Sequence, residues 1–127
     1  MKVEREITLD ADREAVWEAL TDPVLLAEWA AGEVDSFEAE PGGEALFRFE
    51  DGEERPATVE TVEELERLAF RWRRDGGGES RVEFRLEAIG RELTRLVVVE
   101  TGPTLSAASW APRLQLLAGH ALRLVQA

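Results

Sequence analysis

The chain has 127 residues, 44% of them hydrophobic, a length that can bury about two-thirds of its unfolded-chain surface. One globular domain over residues 1–127 is therefore expected, and a disulfide mini-scaffold or a multidomain machine is excluded. Lys+Arg is 15 and Asp+Glu is 27, a formal charge of −12 with the single His120 neutral, which puts nucleic acid and anionic membrane surfaces at a disadvantage as partners.

Cysteine is absent, which removes disulfides, thiol nucleophiles, iron–sulfur clusters and Cys-ligated zinc. With one histidine besides, no metal or cofactor is expected. The opening MKVEREITLD carries charges throughout, and no window approaches the roughly 18 consecutive apolar residues of a membrane span, so a soluble, cytoplasmic chain is expected. Lys2 is the only lysine and Glu dominates the acids, a bias that reads as composition and solubility rather than a binding surface.

Val3 to Leu9 alternates, with Val3, Arg5, Ile7 and Leu9 on one face of a half-buried strand. Asp10-Ala-Asp12 offers N-cap side chains, and Glu14 falls in the first turn of a short helix whose apolar stripe is Ala15, Val16, Ala19 and Leu20, with Trp17 at its margin. Thr21-Asp22-Pro23 breaks that helix, because the residue before a proline is pushed out of the α region. Pro23 then opens a second helix, capped by Thr21 or Asp22, with Leu25, Leu26 and Trp29 as its buried side.

After Gly32 the period changes to two. Val34 to Glu40 reads as a strand with Phe37 and Ala39 on one face, closed by a Pro41-Gly42-Gly43 turn. In Glu44 to Asp51, Ala45, Phe47 and Phe49 share a face, and Asp51-Gly52 signals a hairpin. Pro56 to Val62 forms the next strand, with Val59 and either Thr61 or Val62 inward depending on a bulge. Leu68, Phe70 and Trp72 alternate in another, Asp75 to Gly78 closes a loop, and Val82, Phe84 and Leu86 alternate in the one after. Leu93 to Glu100 contains Leu96 to Val99, apolar on both faces, which predicts a strand covered on both sides. Six strand candidates joined by hairpin turns imply an antiparallel meander, since parallel pairing needs crossover segments that this stretch lacks. Trp110, Leu114, Leu116, Leu117, Ala121, Leu122, Leu124 and Val125 recur at three- and four-residue spacing, an amphipathic helix starting near Ser109 with Pro112 in its first turn.

The order strand, two short helices, long meander and final helix resembles the α+β helix-grip (START-like, SRPBCC) superfamily, in which the sheet wraps the last helix. Asp10-Ala-Asp-Arg-Glu-Ala-Val-Trp17, the Thr21-Asp22-Pro23 break and Leu26 to Trp29 are similar to the opening of the activator of heat-shock-protein-90 ATPase homologue family. The Gly42-Gly43 turn, Glu66-Arg67-Leu68 running to Trp72, and Trp110 at the last helix agree with it. Two departures are visible: the second helix ends Trp29-Ala30 where paired tryptophans are common, and Thr101 to Ser109, over the expected cavity mouth, is short and small-residued.

The resemblance implies an apolar cavity between sheet and last helix, and a small hydrophobic or amphipathic molecule as partner. Trp29, Phe37, Phe47, Phe49, Phe70, Trp72 and Phe84, opposite Trp110, Leu114 and Leu117, are the candidate ligand-binding residues, each also explicable as plain core packing. The resemblance also leaves open a co-chaperone or other protein-interaction role, with a chaperone as partner, and a polyketide-cyclase-like enzyme. His120, on the edge of the last helix's apolar stripe, reads as a helix-surface residue before a proton carrier. Arg48, Arg71, Arg73, Arg81, Arg85 and Arg95 alternate with the apolar faces and read as a solvated outer surface. Arg5 shares a face with Ile7 and Leu9, either as a cavity-facing cation or snorkelling to water. Gly76-Gly77-Gly78 lacks the lysine and helix of a phosphate loop, and no catalytic motif is defensible. The chain is expected to be a monomer or a homodimer.

Overall fold

The computed structural model describes the chain except residues 75–77, 104–109 and 127, and for residues 120–126 it describes the backbone alone. The elements run β1 (Lys2–Leu9), α1 (Arg13–Thr21), α2 (Pro23–Trp29), β2 (Glu33–Phe37), β3 (Glu44–Arg48), β4 (Glu54–Glu63), β5 (Arg67–Arg74), β6 (Gly78–Gly90), β7 (Leu93–Thr101) and α3 (Ala111–Gln126). This is the α+β helix-grip architecture. The expected helix start at Ser109 and the Asp75-Gly76-Gly77 part of the loop lie outside the described residues.

The helix starts follow from their caps. The Asp12 carboxylate accepts from Ala15 N at 2.9 Å and the Asp22 carboxylate from Val24 N at 2.8 Å, each satisfying an N–H that the first turn leaves open. Asp22 also ends α1, its own N–H bonding Glu18 O, and Pro23 at the start of α2 needs no amide partner. The Trp29 indole donates to Ala19 O at 2.9 Å, tying the end of α2 to α1.

All seven strands form one antiparallel sheet in the order β1-β7-β6-β5-β4-β3-β2. The meander runs outward from β7 to β2, and β1 closes the other side of β7, so β7 has a partner along both edges. Two bulges adjust the faces. One between Val34 and Ser36 lets Val34 and Phe37 both point inward, and one between Val59 and Thr61 turns Val62 toward the core. Ala39, expected to share the inner face with Phe37, lies beyond the end of β2 and is exposed, because the chain leaves the sheet for the turn at Pro41. At that turn Gly43 is packed so closely that a Cβ would stand 2.2 Å from Glu38 O, which only glycine avoids.

The inner face buries Ala45, Phe47, Ala57, Val59, Leu68, Phe70, Trp72, Val82, Phe84, Leu96 and Val98 against Val16, Leu20 and Leu26 of the first two helices and Trp110, Leu114 and Leu117 of the last. On the outer face Val97 is half-buried and Val99 nearly buried. Long charged side chains lie on that face: Glu60 pairs with Arg71 and Arg81, and Glu83 with Arg81 and Arg85. Arg48, Arg71, Arg73, Arg81, Arg85 and Arg95 are exposed or half-exposed there, consistent with strand alternation.

Candidate functional site

The aromatic side chains of the inner face pack ring against ring. Phe37, Phe47, Phe70, Trp72, Phe84 and Trp110 form a chain of contacts with centroid separations of 5.3 to 6.2 Å, mostly edge to face, with Trp72 and Trp110 stacked at 15° between planes. With Leu114 and Leu117, these rings are core. They lie between the inner face of the sheet and the first turns of the last helix.

Where the packing ends, polar chemistry begins. Glu100, in β7, is 1% exposed and points inward with Leu96 and Val98. Its Oε2 accepts from Ser80 Oγ at 2.6 Å and Trp72 Nε1 at 2.9 Å, and Oε1 accepts from Trp110 Nε1 at 2.9 Å; Arg74 Nη2 stands 3.5 Å away. Burial pushes this carboxyl up, but the Ser80 hydroxyl, the two indole N–H groups and the Arg74 charge outweigh it and hold it below the ordinary carboxylate value. Glu100 is thus an ionised hub fixing both tryptophans and, through Trp110, the start of α3.

Two further cations gather on the same rings. The Arg55 guanidinium, on the inward row of β4, lies 4.5 Å from the Phe49 centroid and 4.6 Å from that of Trp72. The Arg113 guanidinium, in the first turn of α3, lies 4.9 Å from Trp110 and 5.2 Å from Phe49. Arg55 Nη2 donates to Glu53 Oε1 at 2.9 Å. Among the described residues, Nε and Nη1 of Arg55, Nε of Arg74 and Nη1 of Arg113 are buried donors with no hydrogen-bond partner. Burial first, then the charges of Arg55 and Arg74, lower the Arg113 pKa to about 10.

Against this cluster opens a cleft of about 490 Å³. Its walls are the end of α2 and the residues after it (Ala27 to Gly32), the β3–β4 turn (Phe49, Glu50, Asp51), and Arg113 and Leu116 of α3. Leu116 is 55% exposed at its lip, and Glu28, Glu50 and Asp51 stand exposed around it.

Of the ten candidate ligand-binding residues, Trp29 and Phe49 line this cleft. Phe37, Phe47, Phe70, Trp72, Phe84, Trp110, Leu114 and Leu117 lie in the core beneath it. Arg5 is half-buried on the far edge strand and donates to Glu4 O. The His120 side chain lies outside the described residues. Sequence reasoning passed over Arg55, Arg74, Glu100 and Arg113. Period two was the available signal for Glu100, which shares parity with Leu96 and Val98, and for Arg55, which shares it with Ala57 and Val59. Three-residue spacing from Trp110 was the signal for Arg113. Among the described residues no group of side chains could hold a metal ion, and no helix is long and apolar enough to cross a membrane.

A sheet gripping a C-terminal helix, with a cleft at the end of their shared core, defines a helix-grip protein. The family described as Activator of Hsp90 ATPase homolog 1-like protein matches residues 10–113, and the chain belongs to it. Among solved structures, DynU16, a putative protein in the dynemicin biosynthetic locus, is 30% identical with a TM-score of 0.82. The match covers 94% of this chain but 46% of DynU16, so the chain spans less than half of that relative. CalU16 from Micromonospora echinospora is 24% identical (TM-score 0.75, covering 98% of this chain and 81% of that one), and the Aha1 dimer from Colwellia psychrerythraea is 18% identical (TM-score 0.79, 95% and 96%). These last two likenesses are of fold. No curated protein matches the chain.

Proposed function

We propose that the protein binds a small hydrophobic or amphipathic molecule in the cleft between α2, the β3–β4 turn and α3, without transforming it. The observation that carries this reading is the cleft itself. Its volume of about 490 Å³ is that of a small-molecule site, roughly 300–1,000 Å³, and its mixed wall joins Trp29, Phe49 and Leu116 to Glu28, Glu50, Asp51 and Arg113, a lining suited to an amphipathic molecule. An exposed leucine beside a half-buried phenylalanine is apolar surface that a ligand would cover. Trp29 and Phe49 contact the ligand, while the deeper aromatics hold the floor. Membership of DynU16 in a biosynthetic locus is in keeping with a metabolite as ligand. Glu100, enclosed and held by Ser80, Trp72 and Trp110, serves as a structural anion rather than a ligand contact.

Titration with N-phenyl-1-naphthylamine, an uncharged fluorescent probe, tests the reading. The fluorescence should rise saturably with the native protein, and Ala31→Trp, which places an indole in the cleft, should weaken the probe at least tenfold. Absence of saturable binding by the native protein, or an unchanged affinity in a folded Ala31→Trp variant, would overturn it. The family description favours a second reading, action on a chaperone ATPase, for which stimulation of Hsp90 ATPase by the purified chain is the assay.

A further inference from the structure

The two arginines on the Trp72 ring, Arg55 and Arg113, and the third that meets Glu100 beside it, Arg74, are out of character for this molecule. The chain carries −12 overall, yet Arg55, Arg74 and Arg113 converge on one end of the core, where the anions they meet are Glu100 and Glu53. Arg55 is 8% exposed and keeps two buried donors without partners, and Arg113 keeps one. A buried donor left unpaired costs the fold its desolvation energy, and so does a cation in the first turn of a helix, where the macrodipole is positive. Natural folds rarely retain several such costs in one place unless a ligand satisfies them. Arg113 lines the cleft, and both guanidiniums lie on the ring of Phe49, which lines it too.

We infer that this end of the cleft is a carboxylate subsite, in which Arg113, supported by the charge of Arg55, receives the head group of an amphipathic monoanion whose apolar part lies along Trp29, Phe49 and Leu116. The inference rests on the cleft being a ligand site and adds the chemistry of the ligand. A guanidinium fork matches a carboxylate with two parallel hydrogen bonds, and Arg113 is the cation that lines the cleft. The exposed acids Glu50 and Asp51 at the same cleft oppose negative charge on the ligand, and oppose a phosphate dianion about twice as strongly as a carboxylate, which favours the monoanion.

Decanoate and 1-decanol, a matched pair differing in the head group, separate the subsite from the cleft when each displaces N-phenyl-1-naphthylamine. In the absence of a subsite the protein's net negative charge disfavours decanoate, so decanol should displace at equal or lower concentration. The subsite requires the reverse: decanoate effective at a concentration about tenfold lower in the native protein, with that ratio falling to one or below in Arg113→Gln. Arg113→Lys, which keeps the charge but loses the fork, should retain part of the preference, and circular dichroism checks that each variant is folded. Probe binding with no preference for decanoate, or a preference that survives intact in Arg113→Gln, overturns the subsite and leaves the cleft standing. Failure of the probe to bind at all removes the cleft reading itself.

Discussion

A single carboxylate decides how the end of the core is organised. Glu100 satisfies both indole N–H groups, the Ser80 hydroxyl and part of the Arg74 charge, so removing its charge leaves donors buried without an anion. Glu100→Gln is expected to lower the unfolding free energy by about 3 kcal/mol, since breaking a buried charged network by one partner is costly; urea unfolding at neutral pH measures this. The pH dependence has a defined sign. Glu100 titrates below its ordinary value of 4.5 in the fold, so its contribution is fully present above pH 4.5 and is lost as pH falls through the lower folded value. Native protein should therefore lose stability in acid more steeply than Glu100→Gln, and parallel acid slopes would show that Glu100 is not the hub described. Glu100 was legible in the alternation of its strand but was passed over, because a glutamate at a strand end is ordinarily solvated. What sequence cannot convey is that two tryptophans and a serine, up to 28 residues away, arrive as its donors.

The elements themselves were largely written in local chemistry. Capping aspartates, Pro23, and the alternation of Ala45, Phe47 and Phe49 each specify their own structure within a few residues, and helices and strands formed where these signals stand. The bulge beside Val59 was open in the sequence as a choice between Thr61 and Val62, while the one beside Val34 left no local signal, since a bulge changes which residues face inward without changing composition. Strand ends were less legible: β2 stops at Phe37, so Ala39 was placed inward with it, and β4 starts at Glu54, so Arg55, one residue before the predicted strand, was given no face. The turn between β2 and β3 depends on the absence of a side chain at Gly43, whose Cβ position is occupied by Glu38 O and Glu40 O at 2.2 and 2.9 Å. Gly43→Ala should therefore cost about 2–3 kcal/mol through forced displacement of backbone. Thermal unfolding would show it as a lower midpoint, and an unchanged midpoint would mean the turn is looser than described.

Across the whole molecule the two faces of the sheet do different work. The outer face carries Arg–Glu pairs such as Glu60 with Arg71 and Arg81, largely in reach of water, where such pairs are worth less than about 1 kcal/mol each. On that face Glu83 and Arg85 stand directly across from Val99 and Val97. The inner face is aromatic and buried, and at its end, between α2, the β3–β4 turn and α3, lies a cleft backed by arginines. The acidic charge of the whole therefore conceals a cluster of arginines with buried donors, Arg55, Arg74 and Arg113, which total charge alone could not reveal. The most direct measurement of the central claim is mapping of backbone amide shifts by NMR while N-phenyl-1-naphthylamine is added. The largest perturbations are expected at Ala27 to Gly32, Phe49 to Asp51, and Arg113 to Leu116, with the outer strand positions Arg71, Glu83 and Val97 unmoved. Perturbations centred on the outer face, or none at saturating probe, would contradict it.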